Sequence, residues 1–128
     1  MAFGENFYLE CINSVKILKS TTNLPVHLFT DKKNIPKEER LLFFSISYLP
    51  KLHLRSKVDY ISLSPFNKTI YLDTDIIVVK KIDKLFNLLD NFDILATLDT
   101  ARKRKNMSEL INEYRKIPYA FGEVNSGL

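Results

Sequence analysis

Asp73 and Asp75 stand two residues apart in the run KTIYLDTDIIVVKK, residues 68–81, which carries a long apolar stretch on either side of them. On extended backbone, residues i and i+2 project to the same side with their α-carbons roughly 7 Å apart, so carboxylates at this spacing address one object together. Carboxylates this close repel, and one tends to keep its proton unless a cation joins them. Magnesium and manganese resolve the conflict: each takes oxygen ligands in octahedral geometry, commonly one or two carboxylates, with water and substrate phosphate completing the set. The pair therefore points to a divalent metal and a phosphorylated ligand, with Leu72 and Ile76 anchoring the backbone on each side. The same residues also suit a turn between two strands with both acids solvated, since aspartate and threonine are ordinary turn residues. Spacing alone leaves both readings open.

The elements that must position the pair follow from periodicity. Residues Glu5 to Ser20 place Phe7, Cys11, Val15 and Leu18 on one face at helical spacing, which predicts an amphipathic helix broken by TTNLP. Val26 to Phe29 form a compact apolar run ending in Thr30 and Asp31, the pattern of a buried strand with polar residues at its tip. Pro36 opens a short helix over KEERLL, and a strand follows in FFSISYL, closed by Pro50. Leu54, Val58 and Ile61 predict a second amphipathic helix that Pro65 ends, with Arg55, Lys57 and Asp59 on its flank. Further strands are expected at Thr69 to Leu72 and over FDILATLD, residues 92–99, with a short helix in DKLFNLL between them. Asn106 and Glu109 resemble a capping box for a third helix lined by Met107, Leu110 and Tyr114. Alternating strands and helices predict an α/β fold, a mostly parallel sheet with helices on both faces, whose ligands sit beyond the carboxyl ends of the strands. Asp31, Asp73 and Asp99 all fall at such ends.

Composition bounds the rest. With 128 residues, 45% hydrophobic, the chain has material for one core and is too short for two, so one domain spanning 1–128 is expected. No stretch approaches the roughly 18–20 apolar residues of a membrane span, and the N-terminus lacks a signal-peptide layout. Cys11 is the single cysteine, so no internal disulfide forms; core packing in a reducing, cytoplasmic compartment is the expectation. The formal charge is +4, yet the lysines are spread along the chain rather than gathered in a stripe, so no nucleic-acid partner is expected. The densest run, Arg102 to Lys105, reads as a solvated loop or as a basic flap beside an anionic ligand. His27, in a buried strand, and His53, beside a helix start, read as structural residues.

The segment YLDTDIIVVKKIDKLF resembles the DxD region of nucleotide-sugar glycosyltransferases with the Rossmann-like GT-A fold. It is most similar to the family 8 group that includes glycogenin and bacterial lipopolysaccharide galactosyltransferases. Upstream, LRSKVDYISLSPFNKTIYLDTD resembles that family's helix bearing an arginine and a lysine, and downstream VNSGL resembles its Asn-Ser/Ala-Gly turn. At the front, AFGENFYLECINSVKILKSTTNLPVHLFTD resembles its first nucleotide-binding loop, helix and second strand. These blocks occur in the family's order over essentially the whole chain. Met1 to Phe3 is shorter than the family's first strand, and the family's later histidine metal ligand and acceptor-binding half are absent from these 128 residues. The resemblance thus covers the donor half of an incomplete fold, which a C-terminal half or a partner chain would complete.

The resemblance implies that Asp73 and Asp75 hold Mn2+ or Mg2+, with Asp73 also meeting the ribose. It places Ala2, Gly4, Phe7, Arg55, Lys57, Leu72, Asp73 and Thr74 around the nucleotide, and Arg55, Asp99, Asn125 and Ser126 on the donor sugar. Phe7 either stacks on the base or packs in the helix core, one of Arg55 and Lys57 either grips the diphosphate or solvates its helix, and Asp99 suits a loop cap equally. The implied activity is hexosyl transfer from a UDP-sugar to a hydroxyl of a glycan, a lipid-linked acceptor or a protein, with retention. No residue is singled out as catalytic acid, base or nucleophile. Two other classes fit less of the chain: a nucleotide-sugar binding module without turnover, and a metal-dependent phosphatase or nucleotidyl enzyme using the same acid pair. A haloacid-dehalogenase-type phosphatase wants glycine and threonine after its second aspartate, where this chain has Ile76 and Ile77.

Overall fold

Helix α1, Glu5–Thr21, forms because apolar residues recur on one stripe: Tyr8, Cys11, Ile12, Val15 and Leu18 are all buried. Gly4 is its N-cap, in a left-handed backbone conformation (φ 78°, ψ 164°) that favours glycine. No side-chain oxygen caps this end, but Glu5 in the first turn and Lys19 in the last complement the helix dipole. The helix stops where Ser20 and Thr21 turn their hydroxyls onto the carbonyls of Ile17 and Leu18 (2.7 and 2.9 Å) and extended Thr22 donates its N–H to Leu18 (3.0 Å).

The computed structural model describes residues 1–49 and 56–97, apart from the side chains of Lys57 and Val58. The expected helix over Asn106 to Tyr114, the basic run Arg102 to Lys105, and His53 lie outside the described residues. The chain divides into two compact units, Met1–Asp90 and Asn91–Leu128. In the second unit, residues 92–97, the described part of one expected strand, are neither strand nor helix.

The first unit is mixed helix and strand. Strand β1, His27–Thr30, pairs in parallel with β2, Ser45–Tyr48, in the register His27 to Ser45 through Thr30 to Tyr48. A parallel pair needs a crossover, and this one runs through the single-turn helix α2, Lys37–Arg40, which Pro36 starts. Ala2 makes an isolated parallel bridge to Thr30 on the other edge of β1, donating its N–H to the Phe29 carbonyl (2.9 Å). Ala2, Tyr8, Cys11, Ile12, Val15, Leu28 and Phe43 form the core, against which Val26, Ile35, Leu42 and Ile46 pack. Each fully buried aliphatic or aromatic side chain in such a cluster contributes about 1.5–3 kcal/mol.

Beyond the sheet come helix α3, Ser56–Ile61, and a 3₁₀ helix, Asp83–Asp90. Thr22 donates to Asp83 Oδ2 (3.0 Å), pinning the start of the 3₁₀ helix to the end of α1. Lys68 forms an ion pair with Asp90 and donates to the Phe86 carbonyl (3.4 Å). The strand expected at Thr69 to Leu72 is not formed, because the described sheet contains β1 and β2 alone. A cavity of about 330 Å³ is lined by residues of β1 and by residues 68–74. No helix among the described residues is long and apolar enough to cross a membrane.

Candidate metal and nucleotide site

Asp73 and Asp75 lie on a tight turn. The Ile76 N–H donates to the Asp73 carbonyl (3.3 Å), with Thr74 and Asp75 as the turning residues. The backbone is therefore not extended across the pair, which corrects the expectation drawn from strand geometry. The reason is local chemistry: an Asp-Thr-Asp sequence readily turns, and no ladder holds this stretch straight. Asp75 is exposed and Asp73 half-buried.

Three side chains position the turn. The Tyr71 hydroxyl donates to Asp73 Oδ1 (2.8 Å). Burial, followed by the Asp73 hydrogen bond and charge and the Asp75 charge, raises the Tyr71 phenol well above its ordinary value. From α1, Glu10 Oε2 accepts from the Thr74 hydroxyl (3.2 Å), and the Ser14 hydroxyl donates to the Ile76 carbonyl. Phe7, Glu10 and Ser14 recur at three and four residues, so they form one stripe of α1. Phe7, 54% exposed, sits one turn beyond the Glu10 tether, and its packing into the helix core is excluded. Cys11, Val15 and Leu18 of the expected stripe are buried, and its first position is held not by Phe7 but by Tyr8, whose hydroxyl donates to Glu39 Oε2 (2.6 Å) and whose ring carries the Lys32 ammonium 4.2 Å from its centroid.

The N-terminal loop is held beside the tip of β1. Gly4 donates its N–H to Asp31 Oδ1 (3.0 Å), and Lys32 bridges to Glu5 (2.8 Å). Ala2 is fully buried, Leu72 and Thr74 are half-buried, and Gly4 is exposed. Among the expected site residues, the structure brings Thr74, Asp73 and Asp75 together on the turn and ties that turn to the helix carrying Phe7. Arg55, Asp99, Asn125, Ser126 and the Lys57 side chain lie outside the described residues. His27, expected to be structural, meets Ser45 Oγ through Nδ1 (2.7 Å), packs edge-on against Phe29 at 4.4 Å and has its pKa lowered by burial, while its buried Nε2 has no hydrogen-bond partner among the described residues.

Sequence reasoning missed Tyr71, Glu10 and Ser14. Tyr71 had a signal, standing two residues before Asp73 in a stretch read as a strand, where such spacing shares a face. Glu10 and Ser14 had none, because the polar side of an amphipathic helix does not announce which residues meet a later segment. As a donor set, the turn offers two carboxylates, within the one or two that Mg2+ or Mn2+ commonly takes from protein. Among the described residues no group of three or more His, Cys, Asp and Glu gathers to hold a metal. The pair fits an ion that completes its shell with water and phosphate, and does not form an all-protein cage. In comparisons with protein-family models, curated proteins and solved structures, nothing matches this chain.

Proposed function

We propose that this chain is the donor-binding part of a metal-dependent glycosyltransferase of Rossmann-like GT-A architecture, similar to family 8. In this reading a hexosyl group passes from a UDP-sugar to a hydroxyl acceptor with retention. The observation that carries it is the Asp73–Ile76 turn, tethered through Thr74 and Ile76 to the α1 stripe that exposes Phe7. Acids for a metal and an aromatic for a base are thereby tied to one helix, as a nucleotide diphosphate requires. The order of the matching blocks along the chain supports the same reading.

Asp73 and Asp75 would hold the metal, and the ion, when bound, supplies positive charge to the diphosphate leaving group. Tyr71 fixes the orientation of Asp73 through its hydrogen bond, and Glu10 and Ser14 fix the turn. Phe7 offers a flat apolar surface to a base without donating a hydrogen bond. Arg55 or Lys57 would make charge-assisted hydrogen bonds to the phosphates, whose negative charge grows as the bond to the anomeric carbon breaks. The acceptor oxygen bonds to that carbon, its proton is released, and UDP departs.

The test is release of UDP from UDP-glucose or UDP-galactose by the chain with manganese and a mixture of hydroxyl acceptors. Metal-dependent release that Asp75→Asn abolishes is the expected result. Binding of the donor without release in any acceptor mixture would make the chain a nucleotide-sugar binding module instead.

A further inference from the structure

One side-chain nitrogen in the sheet is buried and unmatched. His27 opens β1 and stands opposite Ser45 at the first rung of the parallel pair, where its Nδ1 meets Ser45 Oγ (2.7 Å). The residue as a whole is half-buried, but its Nε2 is fully buried and has no hydrogen-bond partner among the described residues. The Phe29 ring lies against the imidazole at 4.4 Å and 77°, and from α3 the Tyr60 ring stacks on Phe29 (6.3 Å). Buried polar atoms are paired in the great majority of cases, so an exception calls for a physical cause.

Protonation state decides how costly this arrangement is. A neutral imidazole carries one donor and one acceptor, and the Ser45 hydroxyl serves either, so the contact at Nδ1 suits both neutral tautomers. In imidazolium both nitrogens donate, and Nε2 then holds a buried N–H and part of a positive charge with no acceptor. Burial, followed by the charge of the Met1 amino group, accordingly lowers the proton affinity of this ring below the ordinary 6.5. The other titratable side chains that line the cavity with His27 are Cys11 of α1, Lys68, Tyr71 and Asp73, and the Asp73 carboxylate accepts from the Tyr71 hydroxyl (2.8 Å). No carboxylate among the described residues offsets the cost of a proton on His27.

We propose that His27 is an acid-sensitive latch on the β1–β2 pair: when its ring takes up a proton, the imidazolium leaves its place against Ser45 and Phe29, and the first rung of the pair opens. The folded ring binds a proton less readily than the free one, which sets the sign. The latch is fully closed above about pH 6.5, where the released ring is also neutral, and weakens as pH falls below that value. Opening takes up one proton, so its equilibrium constant rises by up to about tenfold per pH unit in that window. The Val26 carbonyl, next to the latch, accepts from the Phe44 N–H (2.8 Å), which makes the Phe44 amide its reporter. The latch stands on the geometry of β1 and is independent of what the acid turn binds.

The test is amide hydrogen exchange of the full 128-residue chain from about pH 7.5 to about pH 5, expressed as protection so that the intrinsic pH dependence of exchange cancels. Below about pH 6.5 the protection of Phe44 is expected to fall by up to about tenfold per pH unit, while that of Val15 in α1 holds. His27→Asn, which keeps a polar atom for Ser45 and removes the titrating ring, should abolish the fall; His53→Asn, at the other histidine of the sequence, should leave it in place. Constant protection at Phe44 overturns the proposal. So does a fall at Phe44 and Val15 in step, which reports global unfolding and not a latch. Should His27→Asn not fold, the ring of His27 is titrated by NMR in the native chain. Half-protonation below 6.5, with Phe44 opening along the same curve, supports the latch, and an ordinary value overturns it.

Discussion

Replacing Gly4 with alanine isolates the backbone conformation that launches α1. A Cβ at this position meets no atom within 4 Å, so collision contributes nothing. The cost comes from the backbone: at φ 78° and ψ 164°, an L-residue is held in a region of about 1–3 kcal/mol. Alanine restricts the unfolded chain and returns about 0.4–1 kcal/mol. The net expectation is a loss of about 1–2 kcal/mol, or a midpoint lower by roughly 4–8 °C, measured by thermal denaturation followed by circular dichroism. If the chain instead relaxes toward negative φ, the Gly4 N–H leaves Asp31 Oδ1 and its amide exchange quickens. D-Alanine, which prefers positive φ, should restore the midpoint. A neutral or stabilising effect of L-alanine would refute the reasoning, because it would mean that this backbone carries no strain.

Tyr71→Phe removes the hydroxyl that orients Asp73 and should weaken Mn2+ binding roughly 10–100-fold, read by titration calorimetry. Unchanged affinity would mean that Tyr71 is a bystander. Phe7→Ala should leave stability within about 0.5 kcal/mol, because the ring is exposed, while reducing affinity for UDP. Ile12→Ala, only 3% exposed in the core, should cost about 2–5 kcal/mol by urea denaturation. Stability should also fall in alkali. Burial, then the Glu39 hydrogen bond and charge, raises the Tyr8 phenol, so its contribution is complete below about pH 10, where the unfolded phenol titrates. It is lost as pH rises further toward the folded value, since the unfolded state then binds fewer protons. Urea midpoints from pH 8 to 11 should decline for the native chain and less steeply for Tyr8→Phe.

What the sequence reveals follows how local each feature is. The existence of α1, β1, α2 and β2 is legible because each carries its own periodicity or breaker, and the observed bounds differ from the expected ones by a residue or two. Cys11, Val15 and Leu18 are buried as their spacing predicts, but the first position of that stripe is less legible. Phe7 and Tyr8 are both aromatic, and the choice between them is made by Glu39 and Lys32, residues far along the chain. Thr69 to Leu72 has the composition of a strand, but a strand exists only with a ladder, and among the described residues the sheet joins β1 to β2 alone. The acid pair was visible as a pair, and threonine between two aspartates carried the turn signal as well. Its tethers to Glu10 and Ser14 are contacts across more than sixty residues, which no local pattern encodes.

The central claim is that Asp73 and Asp75 share a cation that receives a nucleotide diphosphate. Titration calorimetry of UDP into the chain, with and without Mn2+ and repeated with Asp75→Asn, tests it most directly. The account predicts binding that needs the metal and disappears in the variant. Metal-independent binding of UDP, or equal binding by native chain and variant, would contradict it.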